Sequence, residues 1–199
     1  MIKKTLTYDD VLLVPRYSDI RSRKEIDTTN SLDDRISLRL PVIASPMDTI
    51  SEAAMGITMH AAGGVAIIHR YNTIEEQAAM VAEVYDQGQR IAGAAIGTSG
   101  DYLERAAALV TSGAAVLCID VAHGHHTLVK EALRSLRVTF GDKIHIMAGN
   151  VATLGGYNDL VDWGADSVRC NIGGGSICSA RVQTGHGMPG LQTIFDCAK

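Results

Sequence analysis

Short apolar segments rich in Val, Ile and Ala recur along the chain, and each is followed by a stretch of helical character. The six segments are LPVIASPM, GGVAIIHR, IAGAAIG, AAVLCIDVAH, KIHIMAGNV and SVRCNIGGG. They begin near positions 40, 63, 91, 114, 143 and 167. A spacing of roughly 25 residues suits one strand, one helix and two short loops, so the pattern predicts six parallel βα units.

Two architectures are built from alternating β and α units, an open doubly wound sheet and a closed barrel. The predicted strands are continuous apolar runs, which is typical of strands buried on both faces. Residues of a functional type follow nearly every strand, as in barrels, whereas an open sheet concentrates them at one crevice. These residues are Ser45, Asp48, His69, Thr98, Asp120, His123, Asn150 and Gly173. The sequence therefore predicts an α/β fold of the TIM (β/α)8 barrel type.

The predicted barrel forms a single domain over residues 1–199 and is truncated after about six βα units. A complete barrel has about 250 residues, so about two units are unaccounted for. Residues 40–199 hold the βα units, and the more polar residues 1–39 are predicted to form an N-terminal arm laid against the barrel. Helix starts are predicted at a capping box from Thr73 to Glu76 and at Asp101, whose helix Gly113 closes.

Charge, hydropathy and cysteine content limit the classes of partner. The net charge is −4 and Lys and Arg are scattered, so there is no broad positive field for nucleic acid. No apolar run approaches the roughly 20 residues that a membrane span needs, and the start MIKKTLTYDDVLL is too charged for a signal peptide. The four cysteines include no C-x-x-C pair; Cys118 and Cys170 are predicted to pack in strands, and Cys197 on the last helix. We expect a soluble cytoplasmic protein with reduced thiols.

The most informative segment is NIGGGSICSARVQTGHGMPG, residues 171–190, in which a strand runs into a Gly-rich loop and a cysteine. Because glycine tolerates positive φ and close approach, Gly173–Gly175 can offer N–H groups to a phosphate or carbonyls to a cation, with the Ser176 hydroxyl nearby. A thiol in such a loop, with Arg181 three residues later, can be exposed and have a lowered pKa. Cys178 is therefore the candidate nucleophile. On the pattern alone, a small buried hydrophobic residue is an equal alternative.

Polar residues at two other strand ends have alternative interpretations. Asp120 either accepts hydrogen bonds from a ligand such as a ribose or caps a loop. Asn150 either bonds a ligand or caps the next helix. The histidines of DVAHGHH, residues 120–126, make a poor zinc site, because adjacent histidines on a turn rarely point at one ion and no second cluster adds ligands.

These motifs resemble the family of IMP dehydrogenases and GMP reductases along essentially the whole chain. The matching segments, in the family's order, are LTYDDVLLVPRYS, ASPMDTISEA, GGVAIIHR, DVAHGH, AGNVAT and GGGSICSAR through TGHGMPG. The resemblance implies a barrel enzyme in which a cysteine attacks carbon 2 of a purine nucleotide and forms a covalent intermediate. A hydride moves to or from a nicotinamide cofactor, NADP or NAD. Cys178 matches that cysteine.

The resemblance also implies ligand-binding residues, position by position. Those implied to bind the nucleotide are Ser45 and Met47, Asn150 at the base, and Gly175 and Ser176 at the phosphate. Those implied to face the cofactor or the ribose are Thr98, Asp120, Val121 and Ala122. Potassium often binds backbone carbonyls of the cysteine loop in this family, and here these would be the carbonyls of Gly173, Gly175 and Cys178.

Three departures from the family pattern bear on activity. The family usually has Gly-Pro-Gly-Ser before the cysteine, and this chain has Gly173-Gly174-Gly175-Ser176, so we expect a more flexible loop. Ala180 stands where a threonine usually assists the departing or entering group, with Ser179 adjacent. The chain also stops before the family's phosphate-binding Asp-Gly-Gly strand, mobile flap and late acid/base residues.

The direction of the reaction stays open in the sequence. The pair of CBS modules that typical IMP dehydrogenases insert after strand two is missing and IGTSGD resembles the reductase, which slightly favours GMP reductase. ASPMDT and LTYDDVLLVPRYS are more similar to IMP dehydrogenase. A further alternative is a catalytically incomplete chain that binds a nucleotide. Because an unfinished barrel leaves strand edges open, we expect a homo-oligomer or a second chain that completes the barrel.

Overall fold

All six predicted strands are present in the computed structural model, which describes residues 4–88 and 91–198. The first three residues of the predicted arm and the last residue of the predicted domain lie outside these ranges. The strands are β1 (Asn30–Ser31), β2 (Ser37–Leu38), β3 (Ile43–Ala44), β4 (Val65–Ile68), β5 (Ala92–Ile96), β6 (Ala114–Asp120), β7 (His145–Val151) and β8 (Ser167–Cys170). The α-helices are α1 (Ala53–Ala62), α2 (Ile74–Asp86), α3 (Tyr102–Thr111), α4 (Thr127–Phe140), α5 (Leu154–Asp162), α6 (Ser179–Thr184) and α7 (Gly190–Cys197), preceded by 3-10 turns at Tyr8–Asp10 and Arg23–Glu25. Within the described ranges, no helix has the length and apolar character needed to cross a membrane.

Strands β3 to β8 form one parallel sheet in which each strand pairs with the next along the chain. A doubly wound sheet would reverse its strand order, so the consecutive order supports the predicted barrel. Helices pack on the outer face over a large apolar cluster that includes Ile96, Leu117 and Ile146. The inner face carries a second apolar cluster that includes Ile67 and Val116. The sheet is therefore the curled wall of a barrel that has six of the eight units of the complete fold.

The structure confirms the capping contacts at one of the two predicted helix starts and not at the other. The capping box of α2 is confirmed, because the Glu76 N–H donates to Thr73 Oγ1 at 3.1 Å and the Thr73 N–H donates to the Glu76 carboxylate at 2.9 Å. Asp101 does precede α3, but its carboxylate binds Arg105 at 2.9 Å and makes no capping hydrogen bond. The predicted side-chain cap at Asp101 is therefore wrong, because an arginine one turn later competes for the same oxygen atoms.

The N-terminal arm contains a hairpin that the sequence analysis did not predict. Strands β1 and β2 pair antiparallel, and Ile36 and Leu38 are buried in the inner apolar cluster. In the hairpin turn, a carboxylate oxygen of Asp33 lies 2.8 Å from Nδ1 of His145, whose Nε2 lies 2.8 Å from the hydroxyl of Ser167. His145 and Ser167 are the first residues of β7 and β8, so the hairpin is attached to the amino ends of these strands.

Asp33 is expected to make the stability of the chain depend on pH in acid. Burial raises the pKa of Asp33, but hydrogen bonds from His145 and Arg35 lower it by more, so it lies well below its ordinary value. The unfolded chain then takes up a proton more readily than the folded chain. The free energy of unfolding should therefore fall as the pH drops below about 4, the ordinary pKa of an aspartate.

Asp33→Asn should lower the free energy of unfolding by about 1–3 kcal/mol at neutral pH and flatten its decline in acid, because the charge-assisted hydrogen bonds are lost. Urea unfolding at a series of pH values measures both effects. Asp34→Asn, at the exposed neighbour in the same turn, is the matched control. An acid decline that is equally steep in Asp33→Asn and in the parent would contradict the anchoring role of Asp33.

Candidate functional site

The carboxyl ends of the strands meet at one edge of the barrel, where hydrogen bonds link the loops. The Asn150 N–H donates to the Val121 carbonyl and the Val121 N–H donates to the Gly149 carbonyl, both at 3.2 Å. The Asn150 side-chain amide donates to the carbonyl of Asn171 at 2.9 Å. Asn150, near the end of β7, therefore joins this strand to the residues that follow β6 and β8. Its interpretation as a helix cap is wrong, because the Thr153 hydroxyl caps α5.

An ion pair crosses the inner side of the barrel wall from β6 to β8. The Asp120 carboxylate pairs with Nη1 of Arg169, and the same nitrogen lies 3.7 Å from Sγ of Cys118. The Arg70 guanidinium donates to the Asp120 carbonyl at 3.3 Å. A Cβ at Gly149, on the strand between them, would lie 2.6 Å from Cβ of Arg169, so the glycine leaves room for the arginine. Asp120 is thus an ion-pair partner rather than a loop cap.

Arg169 is a residue of this edge that the sequence analysis missed. The signal for it was present in the strand SVRC, because a charged side chain in a buried strand requires a partner of opposite charge. Asp120 ends a strand two positions away in the same sheet, and it is the matching carboxylate.

The thiols differ in burial and in suitability for attack. Cys118 is fully buried in β6, as predicted, and burial raises the pKa of its thiol to about 12. Cys170 is half-buried at the end of β8, and burial together with the adjacent thiol of Cys197 raises its pKa to about 12. Because the thiolate is the nucleophile, neither Cys118 nor Cys170 is suited to attack at neutral pH. Cys197 ends α7, the last helix, as predicted.

Cys178 lies directly before α6 and is half-buried, in the loop that follows β8. The Cys178 N–H donates to the Gly175 carbonyl at 3.1 Å, which closes a turn around the exposed Ile177. Arg181, which the sequence analysis expected to act on the thiol, donates from Nη1 to the Gly173 carbonyl at 3.3 Å. The arginine therefore holds the glycine segment of the loop.

The carbonyls predicted to bind potassium already accept hydrogen bonds from the protein. Gly173 accepts from the Arg181 guanidinium, and Gly175 accepts from the Cys178 N–H. A guanidinium beside a carbonyl repels a metal cation, so this conformation of the loop does not fit a potassium ion. The potassium site stays a prediction of the family resemblance.

Two cavities border this edge of the barrel. The larger, of about 560 Å³, lies between the cysteine loop and the N-terminal segment, and Tyr8, Asp9, Asn171 and Arg181 are among the residues that line it. The motif around Tyr8 has no role that the sequence alone reveals, because only the fold brings it to the loop. The smaller cavity, of about 230 Å³, lies inside the barrel wall, and Ser45 lines it.

The remaining predicted ligand residues lie on the loops of this edge with different exposure. Four of them are exposed, namely Met47, Ala122, Gly175 and Ser176. Two are half-buried, namely Thr98 and Val121, and the Val121 side chain packs against the outer apolar cluster.

Two of the three histidines after β6 have hydrogen-bond partners within the protein. Nε2 of His125 lies 2.7 Å from the Asp159 carboxylate, and Nδ1 of His126 accepts from the Leu128 N–H at 3.1 Å at the start of α4. In the described part of the chain, no three or more His, Cys, Asp or Glu side chains are grouped so that they could hold a metal ion.

A family model for the IMP dehydrogenase / GMP reductase domain matches residues 5–199. This chain belongs to that family. The crystal structure of IMP dehydrogenase from Legionella pneumophila has a TM-score of 0.90 and 42% sequence identity, and the match covers 98% of this chain and 59% of that one. GMP reductase from Trypanosoma brucei, solved with guanosine 5'-triphosphate, has a TM-score of 0.91 at 24% identity over 98% of this chain and 78% of that one, which supports the fold alone. The predicted barrel fold is confirmed.

Some curated proteins of similar sequence are named IMP dehydrogenase and others GMP reductase. IMP dehydrogenase of Nitrosopumilus maritimus is 28% identical, and the match covers 99% of this chain and 67% of the relative. GMP reductase of Leishmania major is also 28% identical, with 98% and 66% covered. This chain therefore spans about two thirds of the length of these relatives, whose names are divided between the two activities.

Removal of Arg169 should leave the Asp120 carboxylate partly buried without its counter-ion. Arg169→Met should lower the free energy of unfolding by about 1–3 kcal/mol, less than for a deeply buried pair because the two side chains are 21% and 19% exposed. Asp120→Asn in the same chain should restore part of the loss, because the uncompensated charge is gone. Urea unfolding measures these differences, with Arg134→Met on the exposed face of α4 as the matched control. Equal losses at Arg169 and Arg134 would contradict the account.

Proposed function

We propose that this chain carries the Cys178 site of a purine nucleotide oxidoreductase that acts at carbon 2 of the base. The observation that supports this most is the loop from Asn171 to Cys178 at the carboxyl edge of a barrel of this family. Asn150 holds the start of the loop, and a half-buried thiol stands at its end. The raised pKa values of Cys118 and Cys170 make these two thiols poor nucleophiles, and Cys178 is the thiol on the loop that follows β8.

In this proposal the Cys178 thiolate forms a bond to carbon 2 of the purine, and the group already bound to that carbon, ammonia from GMP or hydride from IMP, leaves. In the reductase direction, ammonia leaves carbon 2 of GMP and a hydride replaces it, so that IMP is released. In the dehydrogenase direction, a hydride leaves carbon 2 of IMP and water then releases the oxidised product. Bound NADP or NAD would supply the hydride donor or acceptor.

The exposed main chain of Gly175 and the Ser176 hydroxyl would bind the phosphate. The backbone at Gly175 is open to approach, because a Cβ there would have no heavy atom within 4 Å. Asn150 would contact the base, with Ser45 and Met47 beside the nucleotide. On the cofactor side, the residues proposed are Thr98, Asp120, Val121 and Ala122. The Asp120 carboxylate keeps acceptor capacity for a ribose hydroxyl while it is paired with Arg169.

GMP reductase is the first candidate for the direction of the reaction. Strand β4 ends at Ile68 and α2 begins at Ile74, so a short turn stands where typical dehydrogenases carry an insertion. IMP dehydrogenase is the alternative, because relatives of both names match. In either direction Ala180 offers no hydroxyl, and the exposed Ser179 is the adjacent residue that could assist the departing or entering group.

The absorbance of the reduced cofactor tests the proposal in two mixtures. The first contains the chain, GMP and a reduced cofactor, either NADPH or NADH. The second contains the chain, IMP and an oxidised cofactor, either NADP or NAD. Loss of reduced cofactor with GMP indicates a reductase, and its appearance with IMP indicates a dehydrogenase. Cys178→Ser should slow the observed reaction by at least about 10³-fold, because a serine hydroxyl is a far weaker nucleophile at neutral pH. Cys197→Ser is the matched control and should keep the rate. Turnover that persists in Cys178→Ser would contradict the proposal.

A second candidate is a nucleotide-binding chain that a second copy or another chain completes. In the described ranges β3 and β8 are the two open edges of the sheet, and the cavity of about 230 Å³ between them is lined by Ile43 and Val168. In the N-terminal arm, Leu12 and Leu13 are 95% and 98% exposed. Open strand edges and exposed apolar side chains favour association.

Sedimentation velocity at increasing protein concentration should show self-association of the chain. Leu13→Lys should weaken it by roughly tenfold or more in dissociation constant, because a charge replaces an apolar contact. Val138→Lys, at a position on α4 that is 89% exposed, is the matched control. A monodisperse monomer at every concentration would contradict completion by a second copy.

A further inference from the structure

Asn171, the first residue after β8, has a backbone conformation that residues other than glycine seldom adopt. Its φ is +152°, in the range that favours glycine. Its main chain is held on both sides, because its N–H donates to the Val151 carbonyl and its carbonyl accepts from the Asn150 amide, both at 2.9 Å. Strain of this kind persists only where the surrounding contacts impose it, and it is concentrated near functional sites.

The Asn171 side chain occupies the space next to Gly174. A Cβ built at Gly174 would lie 2.6 Å from Oδ1 and 2.7 Å from Nδ2 of Asn171, closer than real Cβ atoms approach other atoms. Gly174 does not have a positive φ, so an added methyl group would displace the Asn171 amide rather than strain the backbone. Gly175 is different, because a Cβ there would have no heavy atom within 4 Å.

This contact lies at the position where the chain departs from the Gly-Pro-Gly-Ser pattern. With the Asn171 amide in place, a proline ring at position 174 would overlap it. The neighbouring segments of the loop are fixed by hydrogen bonds, from Arg181 to the Gly173 carbonyl at 3.3 Å and from the Cys178 N–H to the Gly175 carbonyl at 3.1 Å. Gly174 therefore lies between two hydrogen-bonded segments, and the second of them is the turn that carries the thiol.

We propose that Asn171 is a positioning residue for Cys178, and that its side-chain amide and Gly174 form a matched pair that sets the path of the loop to the thiol. The amide occupies the space into which a side chain at position 174, such as the proline of the usual family pattern, would project. The inference deepens the proposed function, since it rests on Cys178 as the nucleophile.

The test measures the rate at which iodoacetamide alkylates Cys178, followed by peptide mass spectrometry without nucleotide or cofactor. The variants are Asn171→Gly, Gly174→Ala and the double variant. Gly174→Ala should change the Cys178 rate by at least about threefold when Asn171 is present, because the added methyl displaces the amide. In the Asn171→Gly background the same change should have an effect below about 1.5-fold, since no amide remains to be displaced.

Gly175→Ala is the matched control, because it adds the same methyl group to the same loop in open space. Its effect on the Cys178 rate should be the same with Asn171 or Gly at position 171. Asn171→Asp keeps the shape of the side chain and should preserve the effect of Gly174→Ala.

A role in positioning also predicts that Asn171→Gly shifts the pH profile of Cys178 alkylation, while the thermal unfolding midpoint stays close to that of the parent. Equal effects of Gly174→Ala in both backgrounds, or an unchanged pH profile, would overturn the inference. Because the alkylation needs no turnover, a chain that is silent with GMP and IMP would count against the proposed function and leave this test intact.

Discussion

Parallel pairing of six consecutive strands places every strand's carboxyl end at one edge of the barrel, and the whole candidate site depends on that constraint. The register pairs Asp120 with Gly149, and Gly149 with Arg169, so the three residues lie in one row across β6, β7 and β8. Side chains in such a row share a face, and the glycine in the middle lets the outer two meet. One sheet register therefore sets the ion pair that borders the loop carrying Cys178.

Most of the fold was predictable because it is local and repetitive. Apolar runs at a regular spacing indicated the six barrel strands, and the capping box at Thr73 indicated the start of α2. The N-terminal hairpin was missed because its strands are two residues long and depend on a distant contact. Asp33 bonds His145, which is 112 residues away along the chain, and no local pattern reveals that partner.

The candidate site was predictable in its composition and less so in its contacts. The glycines, Cys178 and Asn150 could be selected by residue type and position at strand ends. The direction in which Arg181 points could not be predicted, because it depends on where the fold places the Gly173 carbonyl. The matched pair of Asn171 and Gly174 also could not be predicted from the sequence, since both a positive φ and a close approach across the loop are properties of the folded chain.

A covalent bond between Cys178 and the purine should be detectable by mass spectrometry after an acid quench. The chain is mixed with GMP or IMP and the matching cofactor, quenched during the reaction and digested. The peptide containing Cys178 should gain the mass of a purine nucleotide, and the peptides containing Cys118, Cys170 and Cys197 should not. Turnover without a nucleotide on Cys178, or with the nucleotide on another cysteine, would contradict attack by Cys178.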